Sequence, residues 1–268
     1  MKDKVVIITG ASSGIGKALA FEFAKRNANL IIAARDIEKL TKIEEVLKSF
    51  GVEVLAVRAD VSIESECINL INKTIEKFGK INVLINNAGI SMQALFNEVD
   101  LNVLKKLMDT NFWGTVYCTK YALPHLLKTK GSLVGVSSIA GYKGLPGRTG
   151  YSASKAAMQG FLDVLRMENM KKGLHVMIAC PGFTASNIRF TALTKDGSQQ
   201  GESPRDEDKM MSAASVAKKI ANGVVLKKRT VIMTFEGKAT VSLNKFFPQL
   251  LDRLVYKKMS KEPDAPIN

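Results

Sequence analysis

Lys4-Val-Val-Ile-Ile-Thr9, then Gly10-Ala-Ser-Ser-Gly14-Ile-Gly16, then Lys17-Ala-Leu-Ala-Phe-Glu-Phe-Ala-Lys-Arg26 is the stretch that decides the fold. The first piece is short, apolar and β-branched, which marks a strand buried on both faces, as in a parallel sheet. The last piece has the apolar spacing of a helix. Between them the glycines let backbone approach a ligand closely, and the helix start offers free N–H groups and a positive dipole end. A strand, a glycine-rich turn and a helix in this order hold a pyrophosphate. The spacing differs from G-x-G-x-x-G, and no G-K-[ST] ending follows, which argues against a P-loop.

Outward from this unit the alternation continues. A second strand, Leu30 to Ala34, ends at Arg35-Asp36. At this position of a dinucleotide fold an acid suits the ribose of NAD, and a guanidinium suits the 2′-phosphate of NADP. Arg35 therefore points to NADP, while Asp36 reads equally as a helix N-cap. A helix over Ile37–Phe50, a strand over Val52–Arg58 leading to Asp60-Val61, and a helix over Ser62–Phe78 follow. Next come a strand over Ile81–Ile85, the turn Asn86-Asn87-Ala88-Gly89 and a long helix over Leu101–Leu127. A strand over Ser132–Val136 delivers Ser138, a helix carries Tyr151 to about Lys172, and a strand over Leu174–Ala179 ends at Pro181-Gly182. Thr184 to Met211 is polar and reads as a mobile lid. A helix over Ser215–Leu226 and a strand over Val231–Thr234 close the pattern. The expected fold is α/β, a doubly wound parallel sheet with helices on both faces, in a single domain over residues 1–239.

The chemistry centres on Ser138 and on Tyr151-Ser-Ala-Ser-Lys155. Residues four apart share one helix face. A fixed ammonium beside a phenol stabilises the phenolate and lowers a pKa that is otherwise about 10. A tyrosine tuned in this way gives or takes a proton near neutrality. Ser138 adds a hydroxyl able to bind a carbonyl oxygen.

Composition bounds the alternatives. A chain of 268 residues with 46% hydrophobic content supports one large core. The start, Met1-Lys-Asp-Lys4, has no apolar leader, and no apolar run reaches the length of a membrane span, so cytoplasm is the expected location. The net charge of +14 comes from lysines scattered along helices, without interleaved aromatic residues, which argues against nucleic-acid binding. Cys67, Cys118 and Cys180 are too widely spaced for a disulfide framework or a zinc site, and no metal is expected. A serine hydrolase lacks its G-x-S-x-G, and His125 and His175 are the only histidines.

Taken together, the Thr9-Gly-x-x-x-Gly14-x-Gly16 turn, the Asn86–Gly89 turn, Ser138, Tyr151-x-x-x-Lys155 and Pro181-Gly182 resemble the short-chain dehydrogenase/reductase family. The resemblance covers about Lys4 to Thr234 and implies a Rossmann-type sheet. It implies that Tyr151 is the general acid or base, that Lys155 lowers its pKa and binds the nicotinamide ribose, and that Ser138 holds the carbonyl oxygen. Asn111, in a long apolar helix, falls where the family has a fourth catalytic residue that anchors a water. Gly10, Ser12, Ser13, Gly14, Ile15 and Gly16 would surround the adenosine phosphates, Asp60 and Val61 the adenine, and Asn87, Ala88 and Gly89 the adjoining ribose. Thr184 and Ser186, after Pro181 and Gly182, would meet the carboxamide. Arg35 matches NADP-preferring members. The implied activity is hydride transfer between NADP(H) and a carbonyl or secondary alcohol, in a homodimer or homotetramer; the alternative is a non-catalytic NADP-binding regulator on the same fold.

Ile90, Met92, Leu95, Phe96, Leu145, Phe183 and Phe190 are the expected pocket lining, suited to a fairly large apolar substrate. The family branches most resembled act on hydroxysteroids and acyl ketones. Beyond the reductase unit, residues 240–268 form an amphipathic extension. Phe247, Leu250, Leu251, Leu254 and Val255 share a helical face, with Lys245, Arg253, Lys257 and Lys258 nearby. Such a face packs on protein or rests on an anionic membrane surface as a peripheral contact.

Overall fold

The computed structural model of the chain describes residues 1–202, 210–261 and 267. Its first half alternates strand and helix: β1 (Val5–Thr9), α1 (Gly14–Ala24), β2 (Asn29–Ala34), α2 (Ile37–Lys48), β3 (Val54–Arg58), α3 (Glu64–Phe78) and β4 (Val83–Asn86). There follow α4 (Leu101–Leu107), a π-helical segment (Met108–Trp113), α5 (Gly114–Lys128), β5 (Ser132–Val136), α6 (Thr149–Glu168) and β6 (His175–Cys180). The chain then runs through β7 (Thr184–Ala185), β8 (Met211–Ser212), α7 (Ala213–Val225), β9 (Thr230–Ile232), α8 (Phe235–Phe246) and α9 (Pro248–Met259).

Seven strands form one parallel sheet in the order β3-β2-β1-β4-β5-β6-β9. The order reverses between β1 and β4, and the crevice at such a switch point is where open α/β sheets take ligands. All residues of β1 are buried, and its side chains alternate between two cores. Val6 and Ile8 join Leu19, Phe23, Leu40 and Ile220 under α1, α2 and α7. Val5 and Ile7 join Leu70, Ile71, Leu126 and Leu162 under α3, α5 and α6. Burial on both faces explains why these strands read as continuous apolar runs.

Four expectations change. The helix expected over Leu101–Leu127 is interrupted by the π-helical turn at Met108–Trp113, which carries Asn111. Thr234 does not end a strand; its hydroxyl accepts from Gly237 N at 3.0 Å and caps α8. The boundary expected at residue 239 therefore falls inside a helix. In the stretch expected to be a polar lid, β7 pairs with β8, Leu193 bridges to Met92, and Asp196 accepts from Thr194 Oγ1 (2.6 Å) and Ser198 N (2.9 Å). Residues 203–209 of that stretch lie outside the described residues.

The C-terminal extension is a helical hairpin packed beside the body. Leu251 and Met259 are buried, Asn244 Nδ2 donates to Tyr142 O at 3.0 Å, and Lys143 pairs with Asp252. The expected apolar face is split, because Phe247, Leu250 and Leu254 remain exposed. Among the described residues no helix is long and apolar enough to cross a membrane.

Candidate active site

A cleft of about 1920 Å³ opens at the C-terminal ends of the central strands. Its first end is built of backbone. Gly10 has φ +66°, and a Cβ there would stand 2.8 Å from Ala88 Cα, so the turn after β1 sits directly on the turn after β4. Thr9 and Asn87 lock the two together: Thr9 Oγ1 accepts from Asn87 N and Ala88 N, each at 3.0 Å, and Asn87 Nδ2 donates to Thr9 O at 2.8 Å. The start of α1 has no side-chain cap from Ser13 and no acid in its first turn. Ser12, Ser13, Gly14, Ile15 and Gly16 all line the cleft there. An open helix start of this kind accepts an anion.

Arg35 lies on the same wall, exposed and without a partner among the described residues, with Lys17, Lys39 and Lys42 beside it. Asp36 turns away from that task. It caps α2, accepting from Lys39 N at 3.0 Å and pairing with Lys39 Nζ at 2.9 Å, and these bonds hold its carboxyl below the ordinary value. Asp60, Val61 and Ala88 continue the wall, with Asp60 Oδ1 accepting from Ser62 Oγ at 2.7 Å.

The second end is built of side chains on β5, α6 and the turn after β4. Ser138, Tyr151 and Lys155 line it together. Lys155 is buried, donates to Val136 O at 2.9 Å and sits 5.8 Å from the Tyr151 ring centre. Burial pushes its ammonium down to about 8. Pro181, Gly182, Thr184 and Ser186 form the facing wall. Asn111 stands behind this site instead of lining it. It is fully buried, Oδ1 accepts from Ile90 N at 2.8 Å, and Nδ2 donates to Ile90 O (3.0 Å) and Ser154 Oγ (2.9 Å). A Cβ at Gly89 would lie 3.0 Å from Asn111 Oδ1 and 3.3 Å from Lys155 Nζ, so turn, amide and ammonium meet there.

A family model for short chain dehydrogenase matches residues 4–196. The chain belongs to that family. Its members are oxidoreductases that use a nicotinamide cofactor. The chain is 37% identical over 267 residues to 11-beta-hydroxysteroid dehydrogenase 1A of Arabidopsis thaliana, covering 94% of this chain and 75% of that protein. It is 35% identical over 270 residues to dehydrogenase/reductase SDR family member 7B of Danio rerio, covering 98% and 87%. Among solved structures, a short chain dehydrogenase/reductase from Burkholderia phymatum in complex with NAD superposes with a TM-score of 0.82 at 24% identity, over 93% of this chain and 95% of that one. An alcohol dehydrogenase from Thermococcus sibiricus complexed with 5-hydroxy-NADP gives 0.77 at 24%, over 87% and 96%. These likenesses show the shared fold.

In this short-chain dehydrogenase the electrostatics differ from the sequence reading. Lys155 was expected to draw the Tyr151 phenol down. Instead burial dominates and raises the phenol, against the hydrogen bond of Ser138 and the guanidinium charges of Arg148 and Arg189. Lys155 Nζ, 5.8 Å from the ring centre, donates to Val136 O. Of the expected apolar lining, Ile90, Leu145 and Phe183 line the cleft, whereas Met92 is buried among Val103 and Leu107, and Leu95, Phe96 and Phe190 lie outside the lining.

Sequence reasoning missed the residues that hold the site in place. Gln159 is buried; its Nε2 donates to Ser137 Oγ at 2.9 Å and to Ser138 O at 3.3 Å, fixing the loop that carries Ser138. Ser154 passes Asn111's bond back to Tyr151 O at 2.8 Å. Gln159 follows Lys155 by four and shares its face, which was the available signal.

Proposed function

We propose that the chain is an NADP(H)-dependent short-chain dehydrogenase/reductase acting on the carbonyl or secondary alcohol of a fairly large, largely apolar compound, an acyl ketone or a steroid-like molecule. The observation that carries this is the meeting of Ser138, Tyr151 and Lys155 on one wall of a cleft whose other end is an open helix start. The alternative of a non-catalytic regulator is disfavoured, because cofactor binding alone needs no proton donor beside a carbonyl site.

The cleft fits the cofactor. Backbone of residues Gly10 to Gly16 would hold its phosphates, Arg35 its 2′-phosphate, Asp60 and Val61 its adenine, and Asn87, Ala88 and Gly89 the ribose beside it. Tyr151 and Lys155 would hold the nicotinamide ribose, and Pro181, Gly182, Thr184 and Ser186 the carboxamide. A bound nicotinamide supplies a hydride in reduction and accepts one in oxidation. Ser138 and Tyr151 aim hydroxyls at the carbonyl oxygen, where negative charge develops. Tyr151, kept protonated at neutral pH by burial, delivers its proton to that oxygen. Lys155 steadies the resulting phenolate. Asn111 fixes the Gly89–Ile90 turn against Tyr151 and Lys155.

Relatives named 11-beta-hydroxysteroid dehydrogenase favour a large apolar substrate. Exposed Trp113, Val164, Met167 and Met170, on or beside α5 and α6, favour a homodimer or homotetramer. Exposed Phe247, Leu250 and Leu254 beside Arg253 and Lys257 favour peripheral contact with an anionic membrane from the cytoplasmic side. The test is NADPH oxidation against a panel of acyl ketones, steroids and sugars. Turnover of an apolar ketone supports the reading; NADPH binding with no turnover of any carbonyl contradicts it.

A further inference from the structure

We propose that the substrate carries a negatively charged group, a carboxylate or a phosphate, beside its reacting carbonyl, and that Arg148 receives it. The proposal deepens the reading above and rests on Tyr151 marking the reacting end of the cleft. Arg148 stands at the start of α6, three residues before Tyr151, so the two share one turn. Arg148 is buried, 8% exposed, yet lines the cleft. Buried cations are costly unless a counter-charge meets them.

The contacts of Arg148 leave that counter-charge to a ligand. Nη1 donates to Ser91 Oγ at 3.2 Å and Nη2 to Gln93 Oε1 at 3.5 Å, both neutral acceptors. A guanidinium has five N–H donors, and Nε of Arg148 has no acceptor among the described residues. The described side-chain N or O atom that is fully enclosed and unbonded is Arg166 Nη2, so Arg148 Nε is not sealed off, and the residue lines the cleft. The charged or titratable groups that act on Arg148 among the described residues are Tyr151 and Arg189, with no carboxylate. Arg189 donates from Nη2 to Thr184 O at 2.8 Å and bears on Tyr151 as well.

Of the carboxylates that line the cleft, Asp36 pairs with Lys39, Glu236 pairs with Lys258 and Asp60 accepts from Ser62; neither these nor Asp109 is among the groups that act on Arg148. A guanidinium one helical turn from the phenol is a receptor for a planar or tetrahedral oxyanion. Ile90, Leu145 and Leu193 leave apolar surface for the rest of the molecule. The substrate class is thus an amphiphilic ketone, with an apolar chain and one anionic head.

The test compares ketones matched in chain length and bearing a neutral, a carboxylate or a phosphate head, at saturating NADPH. At least one anionic ketone should exceed the neutral one in kcat/KM by about 100-fold, the size of a charge-assisted contact. Arg148→Gln should remove most of that advantage, chiefly through KM for the anionic ketone, whereas any change in kcat that acts through Tyr151 falls on all heads alike. Arg148→Lys should keep more of the advantage for phosphate than for carboxylate. Equal rates for all heads in the wild type, or equal losses on all heads in Arg148→Gln, would overturn the proposal and leave Arg148 as a latch on Ser91 and Gln93. Should Arg148→Gln fail to fold, the wild-type panel and Arg148→Lys decide by the same criteria.

If NADPH binds and no ketone is reduced, calorimetric binding of an alkyl carboxylate, an alkyl phosphate and the matched alcohol to the NADPH complex decides. Anion binding at least about tenfold tighter than the alcohol's, and weakened in Arg148→Lys, upholds the subsite and places the failure in the reaction reading. No preference among the three overturns the subsite.

Discussion

The two ends of the cleft are made differently. At the end formed by the turns after β1 and β4 the working groups are backbone, held by Thr9 and Asn87. At the Tyr151 end the working groups are side chains, each held by partners from other elements: Lys155 by Val136, Ser138's loop by Gln159, Arg148 by Ser91. A backbone site depends on local turn chemistry and tolerates change in its side chains. A side-chain site depends on long-range packing, and single substitutions remove single functions.

The sharpest separation of the two ends is Tyr151→Phe. It should lower kcat for carbonyl reduction by about 10³-fold, the range of a general acid, while the Kd for NADPH stays within about threefold. A loss of cofactor binding in step with activity would merge the two ends.

Lys155 bridges them and carries a pH signature. Its ammonium is pushed down to about 8 by burial, and in the proposed role it donates to a bound ribose while charged, below that pH. Cofactor affinity should therefore be full below pH 8 and fall as pH rises, by up to about tenfold per unit. Measured against pH, Kd for NADPH should break near 8 in wild type and lose the break in Lys155→Met. A flat wild-type profile would show that Lys155 does not touch the cofactor.

Arg35 tests the adenosine end. Exchanging one charge-assisted phosphate contact is worth about 1.5–3 kcal/mol. Arg35→Asp should weaken NADPH roughly 10- to 100-fold and leave NADH equal or tighter, by titration of both. A wild type that prefers NADH contradicts the choice of NADP.

The smallest effects lie in the C-terminal hairpin. Leu251 is buried and Leu250, its neighbour, is exposed. Leu251→Ala should lower Tm by roughly 5–10 °C, as a buried Leu-to-Ala change costs about 2–5 kcal/mol. Leu250→Ser should leave Tm within about 1–2 °C, as surface changes do, and weaken sedimentation with anionic vesicles at low salt. Equal Tm losses would show that the whole apolar face packs on protein.

The same division governs how much could be read from the chain. The parallel order followed from alternating apolar runs, because a sheet buried on both faces requires them. The glycine turn was legible because Gly10 must hold φ +66° against Ala88. Tyr151 and Lys155 were legible as a helical pair. Their electrostatics were not, since the phenol is governed by burial, by Ser138, and by Arg148 and Arg189, one of them thirty-eight positions along the chain. Neither was the π-helical turn at Asn111, whose bonds reach back to Ile90 across 21 positions. The seat of α8 and α9 was hidden for the same reason: Lys143 and Asp252 are 109 positions apart. Sequence periodicity shows which face is apolar and does not show what covers it.

Carbonyl reduction with NADPH at the wall of Ser138, Tyr151 and Lys155 is the proposal on which the rest depends. Its most direct test is single-turnover transfer from NADPH deuterated at the nicotinamide C4 to a ketone, read by mass spectrometry of the alcohol. One deuterium is expected on the carbinol carbon with wild type and almost none with Tyr151→Phe, although both bind the cofactor. Transfer at the wild-type rate in Tyr151→Phe, or no transfer to any ketone by a wild type that binds NADPH, would contradict it.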